Sequence, residues 1–103
     1  MNKYKIDYSP EAKKEIDEII GLIACDSGET IAAKHKKRIK SRIGALGTIP
    51  NAGQRIDKNF LKIPVKPYIV IYKIEKDVVK IMGVIDGRRD WQRIFFATLI
   101  SRS

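Results

Sequence analysis

Two apolar runs in the second half of the chain constrain the fold more than any other feature. The first covers residues 67–74 and the second covers residues 78–85, and both are rich in β-branched and aromatic side chains. The polar turn Glu75-Lys76-Asp77 joins them. This pattern predicts a β-hairpin. The second run continues into Asp86-Gly87-Arg88-Arg89-Asp90-Trp91, so we expect two adjacent arginines at the end of a strand.

The amino-terminal part of the chain predicts a strand that leads directly into a helix. Residues 3–8 alternate charged and apolar side chains, which is typical of a half-buried strand. Ser9 then stands in the N-cap position and Pro10 in the first helical position. Apolar residues recur at helical spacing from Ala12 to Ile23, which indicates an amphipathic helix.

A second helical pattern covers residues 29–46, after a break at Asp26-Ser27-Gly28. The residues expected on its packed side are Ile31, His35, Ile39, Ile43 and Leu46. Its remaining surface carries Lys34, Lys36, Lys37, Arg38, Lys40 and Arg42. A basic helix face of this kind is either simply solvated or binds nucleic acid, and the sequence leaves both interpretations open. Because His35 lies on the apolar stripe, we expect a core or boundary histidine rather than a catalytic base.

The rest of the chain completes an α+β pattern. Residues 47–58 contain turn residues and predict a loop, and residues 60–65 predict a strand. Because Pro64 cannot donate a backbone hydrogen bond, that strand should lie at a sheet edge or end early. Residues 94–100 are apolar enough to dock as a short terminal helix. The predicted order is therefore β-α-α-β-β-β with a possible short C-terminal helix, in one domain that covers residues 1–103.

Composition narrows the possible partners and cofactors. The chain has 103 residues and a formal net charge of +9, which favours an anionic partner. Its single cysteine, Cys25, has no intramolecular disulfide partner and, with a single histidine, offers no cluster of metal ligands. No phosphate-binding loop or nucleophile motif is present, so we expect no cofactor and no metal. The apolar runs are strand-sized, and a cytoplasmic protein without membrane contact is expected.

Basic and aromatic side chains of the predicted sheet form the candidate binding surface. The basic residues are Lys62, Lys66, Arg88 and Arg89, and the aromatic residues that interleave with them are Phe60, Tyr68 and Trp91. This combination suits single-stranded nucleic acid or RNA. The alternative is that the aromatic residues pack in the core, which we favour for Tyr72. Gly87 is expected to take a positive φ, and Asp90 to pair with one of the two arginines.

Together with residues 4–12, Tyr-Lys-Ile-Asp-Tyr-Ser-Pro-Glu-Ala, the hairpin and its arginine end resemble the RelE/ParE superfamily of bacterial toxins from type II toxin-antitoxin modules. The resemblance implies a RelE/ParE-like fold in which an N-terminal strand and a helical hairpin pack on a curved, mostly antiparallel sheet. It also implies one of two activities. RelE-like members are ribosome-dependent endoribonucleases that cleave messenger RNA, and ParE-like members poison DNA gyrase.

The residues favour the ParE branch of this resemblance. Lys62 matches a lysine of the nuclease branch and Arg89 matches its second arginine. Ile69 stands where the first arginine would be, and Phe95 where the terminal tyrosine would be. Isoleucine cannot stabilise a charged transition state and phenylalanine cannot transfer a proton, so two chemical roles are vacant. The Pro-Tyr entry to the hairpin and its Gly-Arg-Arg-Asp end resemble ParE more closely.

The resemblance therefore implies a ParE-like toxin that causes growth arrest, in the class associated with plasmid stabilization. We expect it to poison DNA gyrase without catalytic residues and to form a hetero-oligomer with a cognate acidic antitoxin. The expected target-binding residues are Arg88, Arg89, Asp90, Trp91, Lys62, Lys66 and Tyr68. The expected antitoxin-binding residues are Ile94, Phe95 and Phe96. The alternative is a RelE-like mRNA interferase that acts on the ribosome with Lys62, Lys66 and Arg89 as catalytic residues, and the second alternative is a non-catalytic nucleic-acid-binding module.

Overall fold

The computed structural model describes residues 3–101 and has three helices and five strands in that part of the chain. In chain order the elements are β1 (Lys5–Tyr8), α1 (Pro10–Ser27), α2 (Glu29–Gly44), β2 (Gln54–Arg55), β3 (Leu61–Val65), β4 (Tyr68–Glu75), β5 (Val78–Asp86) and α3 (Trp91–Ser101). The strand, helical hairpin, central β-hairpin and terminal helix of the sequence prediction are thus confirmed.

The five strands form one mostly antiparallel sheet in the order β1-β5-β4-β3-β2. β1 pairs with β5 in parallel, and the other pairs are antiparallel. The β4–β5 register shifts between Ile71 and Tyr72, because Ile71 faces Gly83 whereas Tyr72 faces Ile81. Met82 therefore has no direct partner on β4, which is the pattern of a β-bulge.

The ends of α1 follow from the residues at its two caps. The Ser9 hydroxyl accepts a hydrogen bond from the Ala12 N–H at 3.0 Å, and Pro10 occupies the first helical position, as predicted. At the other end Gly28 has φ 91, a conformation that costs little only for glycine. Because α2 begins at the next residue, this one glycine reverses the chain between the two helices.

The segment predicted as a loop between residues 47 and 58 is more ordered than expected. It contains a short 3-10 turn at Pro50–Ala52 and the two-residue strand β2. The Tyr72 hydroxyl organises the turn, since it donates to the Pro50 carbonyl at 2.7 Å and accepts from the Gly53 N–H at 3.0 Å. Tyr72 is fully buried, so its predicted core role is confirmed.

The sheet separates two clusters of buried side chains. The larger cluster lies under α1 and α2 and includes Ile16, Ile39, Val65, Tyr72 and Ile81. The smaller cluster lies under α3 on the opposite face and consists of Phe60, Ile71, Met82, Ile85 and Phe95. The terminal helix α3 therefore contributes side chains to the core.

The outer edge of β3 is covered by side chains of α2. β2 pairs only with Leu61 and Lys62. Beyond Lys62, the side of β3 that faces away from β4 pairs with no strand among the described residues, as expected for a strand that contains Pro64. Arg42 Nη2 donates to the Pro64 carbonyl at 3.2 Å, and Arg38 Nη2 donates to the Lys66 carbonyl. Both bonds satisfy acceptors that a neighbouring strand would otherwise occupy.

Candidate functional site

A groove of about 550 Å³ lies between the helical hairpin and the open end of the β4–β5 hairpin, where β4 begins and β5 ends. Its apolar lining comes from Ile19, Leu22 and Ile23 of α1, Ile31 of α2 and Ile94 of α3, above Val84 of β5. Leu22 is 69% exposed and Ile31 is 39% exposed. Open apolar surface inside a concave site is typical of a surface that another molecule covers.

The exposure of Ile31 corrects the predicted stripe of α2. Ile39 and Ile43 are fully buried as expected, and His35 is half-buried at the boundary, as predicted. Ile31 lies in the first turn of the helix, where the helical hairpin lines the groove and no further element covers it. The helical period places these residues on one side but does not say how far the covering sheet extends.

Acidic side chains of α1 line one wall of the groove. Glu15, Glu18 and Asp26 are its carboxylates on this side. Glu15 also has a structural role, because its Oε1 accepts a hydrogen bond from the Val84 N–H at 3.1 Å. β1 ends its pairing with β5 at Ile81, so this carboxylate takes the place of a strand partner farther along β5. The sequence analysis did not find this contact, because it joins residues 69 positions apart.

An ion pair between Asp86 and Arg88 lies where β5 ends beside the groove. Arg88 Nε donates to Asp86 Oδ1 at 3.0 Å and Arg88 Nη2 donates to Oδ2 at 2.6 Å. The Arg88 backbone N–H also donates to Oδ1, at 2.9 Å. The Arg88 guanidinium, followed by this N–H, lowers the pKa of Asp86 to about 2. Arg88 is therefore held in a bidentate pair within its own loop.

This pair corrects the predicted role of Asp90. Asp90 does not bond either arginine of the pair Arg88 and Arg89. It lies beside the start of α3, where its carboxylate accepts from the Arg93 N–H at 3.4 Å and approaches Arg93 Nε at 3.5 Å. An acidic side chain at a helix start is stabilised by the free N–H groups there, which explains why Asp90 turns toward α3.

Arg89 differs from Arg88 in that its charge acts on Asp86 only at a distance, as a minor contribution to the lowered pKa of that carboxyl. Its backbone N–H donates to the Asp86 carbonyl at 3.2 Å. Its guanidinium makes no hydrogen bond or ion pair with any residue between 3 and 101, and the residue is exposed beside the groove. Of the two adjacent arginines, one is thus committed to the fold and the other is available for an anionic group.

Gly87 is required for a reason other than the predicted one. Among the residues that the structure describes, the glycine with positive φ is Gly28, so the expected positive φ at Gly87 is wrong. A Cβ at Gly87 would lie 3.0 Å from Ile69 Cγ1 and 3.1 Å from the Pro67 carbonyl oxygen. That same carbonyl accepts the Gly87 N–H at 2.7 Å. Gly87 therefore permits the close approach that places the arginines at the start of β4.

The predicted binding residues are divided between the two faces of the sheet. Tyr68, Arg88 and Arg89 line the groove on the helical-hairpin side. Trp91 packs against the Phe95 cluster on the opposite side, and Lys62 Nζ lies 4.9 Å from the centre of its ring. The predicted interleaving of basic and aromatic residues is therefore present for this pair as a cation-π contact, but it does not form one continuous surface with the groove.

Tyr68 and Lys66 lie at the strand end near the groove. Burial raises the pKa of the Tyr68 hydroxyl, and the Asp86 carboxylate raises it further, so the hydroxyl stays protonated. Lys66 is exposed and follows β3 directly, with its carbonyl bonded by Arg38. The Lys66–Pro67 peptide bond is cis. Both side chains can contribute a hydrogen-bond donor to a ligand at this end of the sheet.

The expected contact role of Phe95 is corrected by its position in the core. Phe95 is 1% exposed, and its ring centre lies 5.1 Å from that of Phe60 and 5.2 Å from that of Phe96 in edge-on arrangements. A partner cannot reach this side chain in the folded protein. Ile94 and Phe96 are only partly buried, so they remain as candidate contacts on α3.

Residues 3–101 contain neither a membrane-spanning helix nor a cluster of metal-binding side chains. No helix in this part of the chain is long and apolar enough to cross a membrane. No group of three or more His, Cys, Asp and Glu side chains in the same part is arranged to hold a metal ion. The His35 Nδ1 atom is buried and has no hydrogen-bond partner among the described residues.

Comparison with known proteins connects this fold to one family. The family described as "ParE toxin of type II toxin-antitoxin system, parDE" matches residues 6–91. A chain of the solved "Chromosomal ParDE TA system from P. aeruginosa" is similar with a TM-score of 0.73 and 13% identity, covering 82% of this chain and 96% of that chain. A double mutant of E. coli toxin RelE in the free state is similar with a TM-score of 0.66 and 17% identity, covering 97% of each chain. No curated protein sequence matches the chain.

Proposed function

Because this chain belongs to the ParE toxin family of type II toxin-antitoxin systems, we propose that it arrests growth by poisoning DNA gyrase and not by cleaving RNA. The family match covers most of the chain, from β1 to the start of α3. The toxin-antitoxin context of the family implies an antitoxin partner. The gyrase target and the residues that contact it are the parts of the proposal that experiments must test.

The burial of Phe95 is the observation that carries the choice between the two activities. A superfamily nuclease would need a proton-transferring side chain at this position, open to the RNA. Here the position holds a phenyl ring in the core under α3. Ile69, which stands in for a phosphate-binding arginine, packs with the same cluster. The two positions that lack a nuclease side chain, Ile69 and Phe95, therefore pack against apolar residues. This supports a toxin that acts by binding its target and not by catalysis.

Arg89 is our first candidate for the contact with the target. Its guanidinium is exposed and makes no hydrogen bond or ion pair within residues 3–101, whereas the guanidinium of Arg88 is bound to Asp86. Gly87 and the Asp86–Arg88 pair hold the backbone that presents Arg89. The other predicted target-binding residues remain secondary candidates. Some lie near this strand end and others lie across the sheet from it, and they are Lys66, Tyr68, Asp90, Trp91 and Lys62.

The groove is our candidate for the antitoxin contact. Its open apolar residues, Leu22, Ile31 and Ile94, suit the apolar side of an amphipathic segment. The arginines at its rim would face acidic side chains of such a partner, in keeping with the net charge of +9. An antitoxin seated here would also cover Arg89, so a single contact could both occupy the groove and block the target-binding residue.

Induced expression in a growing culture tests the proposed target. We expect DNA breaks and arrest of replication to precede any loss of translation, and a strain with a toxin-resistant gyrase to keep growing. Co-expression of the cognate antitoxin is the matched control and should restore growth. Early loss of translation with intact DNA would reject gyrase as the target and favour the ribosome-dependent nuclease.

A further inference from the structure

The exposed side of α2 is strongly basic, with one acidic residue, Glu29, in its first turn. From Thr30 to Gly44 the helix contains no acidic residue. All of its basic residues are exposed, and these are Lys34, Lys36, Lys37, Arg38, Lys40 and Arg42. We call this set the α2 basic face. Helical geometry places Lys34 and Lys37 opposite the buried residues Ile39 and Ile43, whereas the other basic residues lie closer to the buried side.

Contacts with the rest of the fold fix the two flanks of the α2 basic face. On one flank, Arg38 and Arg42 donate to carbonyls at the edge of β3. On the other, Lys40 Nζ lies 4.1 Å from the centre of the Tyr8 ring. Between the flanks, Lys34 and Lys37 make no hydrogen bond or ion pair with residues 3–101. The helix thus presents a row of free ammonium groups between anchored neighbours.

Small residues separate the free lysines along the centre of the face. Thr30, Ala33 and Ser41 are exposed there, and two of them carry hydroxyl groups. A helix surface with short side chains at its centre and long cations beside them allows a backbone of phosphates to approach closely. Hydroxyl and ammonium groups are both common donors to phosphate oxygens.

The charge arrangement is unfavourable for the isolated helix. Like charges three or four residues apart, such as Lys34 with Lys37 and Lys36 with Lys40, each destabilise a helix by roughly 0.2–0.5 kcal/mol. A face that only needs solvation can mix signs, and α1 does so, with Lys13 and Lys14 beside Asp17 and Glu18. The large excess of basic residues over the single acidic Glu29 on α2 is therefore better explained by a polyanionic partner.

We propose that the α2 basic face binds the phosphate backbone of double-stranded DNA without sequence preference. Single strands are usually held by stacking on exposed aromatic rings, and α2 has no aromatic residue. The major groove of B-form DNA admits a helix, whereas that of A-form RNA is too narrow and deep. The proposal concerns a surface away from the groove and does not depend on gyrase being the target.

Binding of the purified full chain to a labelled duplex tests this surface directly. We expect the logarithm of the association constant to fall linearly with the logarithm of salt concentration, by about 0.9 for each phosphate neutralised. Lys34→Gln with Lys37→Gln should reduce that slope by about two. Lys58→Gln with Lys76→Gln removes the same charge from exposed positions around the tip of the β4–β5 hairpin, and its slope should match that of the unmodified chain.

The measurements separate the proposal from its competitors. An equal decrease in the salt-dependence slope of both double variants would show that only net charge matters, and it would overturn the proposal. An unchanged slope in the α2 variant would also overturn it. Equal or tighter binding of double-stranded RNA of the same length would overturn the assignment to DNA. Circular dichroism melting curves should show that both variants remain folded, with the α2 variant equal to or slightly more stable than the unmodified chain, because it loses the Lys34–Lys37 repulsion and leaves the core unchanged.

Discussion

The groove and the α3 side of the sheet contain similar apolar residues but differ in how completely those residues are covered. On the α3 side, Phe95 is enclosed by Phe60 and Phe96 and is 1% exposed. In the groove, Leu22 is 69% exposed. The ring cluster around Phe95 therefore stabilises the fold, whereas the exposed Leu22 in the groove is available to a partner.

The difference shows what the apolar pattern of a helix can and cannot reveal. The spacing of apolar residues correctly predicted that Ile31 lies on the same side of α2 as Ile39. The apolar run near the C-terminus correctly predicted the helix α3. It did not show that the sheet ends before it reaches Ile31, or that Phe95 meets Phe60 across the sheet face. Which apolar face is covered depends on distant elements, and this reversed the predicted roles of Ile31 and Phe95.

Truncation of one residue on each side should give the largest contrast in stability. Phe95→Ala should lower the free energy of unfolding by about 3–5 kcal/mol, because it leaves a cavity among packed rings. Leu22→Ala should change it by no more than about 0.5 kcal/mol, since the side chain is mostly in solvent. Urea denaturation of both variants provides the comparison. A large loss for Leu22→Ala would mean that the groove is already closed in solution.

Placing charge in the groove should affect partner binding more than stability. Leu22→Glu with Ile31→Glu should weaken the complex with the cognate antitoxin by about 2 kcal/mol or more, roughly thirty-fold in Kd. The control is Ile100→Glu, to be compared with Leu22→Glu alone, because each places one charge on a similarly exposed apolar residue. Titration with purified antitoxin measures both. Weaker binding for Ile100→Glu alone would move the contact surface to α3.

Restoring a hydroxyl at the buried position should cost stability without adding a nuclease activity. Phe95→Tyr places a hydroxyl in the core, where an unpaired polar group costs about 1–3 kcal/mol. The group would still be out of reach of RNA, so no cleavage of ribosome-bound messenger is expected. A thermal melt and a primer-extension assay report the two effects. Cleavage by this variant would show that the α3 side opens on the ribosome.

Much of the fold could be predicted from sequence because local signals were strong and agreed with each other. Ser9 and Pro10 defined the start of α1, and Gly28 defined the break between the helices. The site was harder, since its geometry depends on contacts across the fold. Asp86 and Asp90 both flank the arginines in sequence, and only the closure of Gly87 onto Pro67 and the start of α3 decide which one pairs.

The smallest expected effect is the pH dependence of the Asp86–Arg88 pair. The pKa of Asp86 is lowered to about 2 in the folded protein, so the pair contributes stability above the unfolded value near 4. That contribution should disappear as the pH falls from about 4 to about 2. Asp86→Asn should therefore be slightly less stable than the unmodified chain at neutral pH, and the difference should vanish in acid. Urea midpoints across this range measure it, and a constant difference would show that the pair does not titrate as described.

Cleavage of closed circular DNA by purified gyrase tests most directly whether the toxin acts through contacts of Arg89 and not through a nuclease site. The unmodified chain should accumulate gyrase-dependent double-strand breaks, and Arg89→Ala should abolish them while retaining its melting temperature. Arg88→Ala should lower activity less than Arg89→Ala does, because the Arg88 guanidinium is already bound to Asp86 and acts only by supporting the loop that presents Arg89. The contradictory result is an absence of gyrase-dependent breaks together with rapid, codon-positioned cleavage of messenger RNA on purified ribosomes, which would make Lys62, Lys66 and Arg89 the leading catalytic residues.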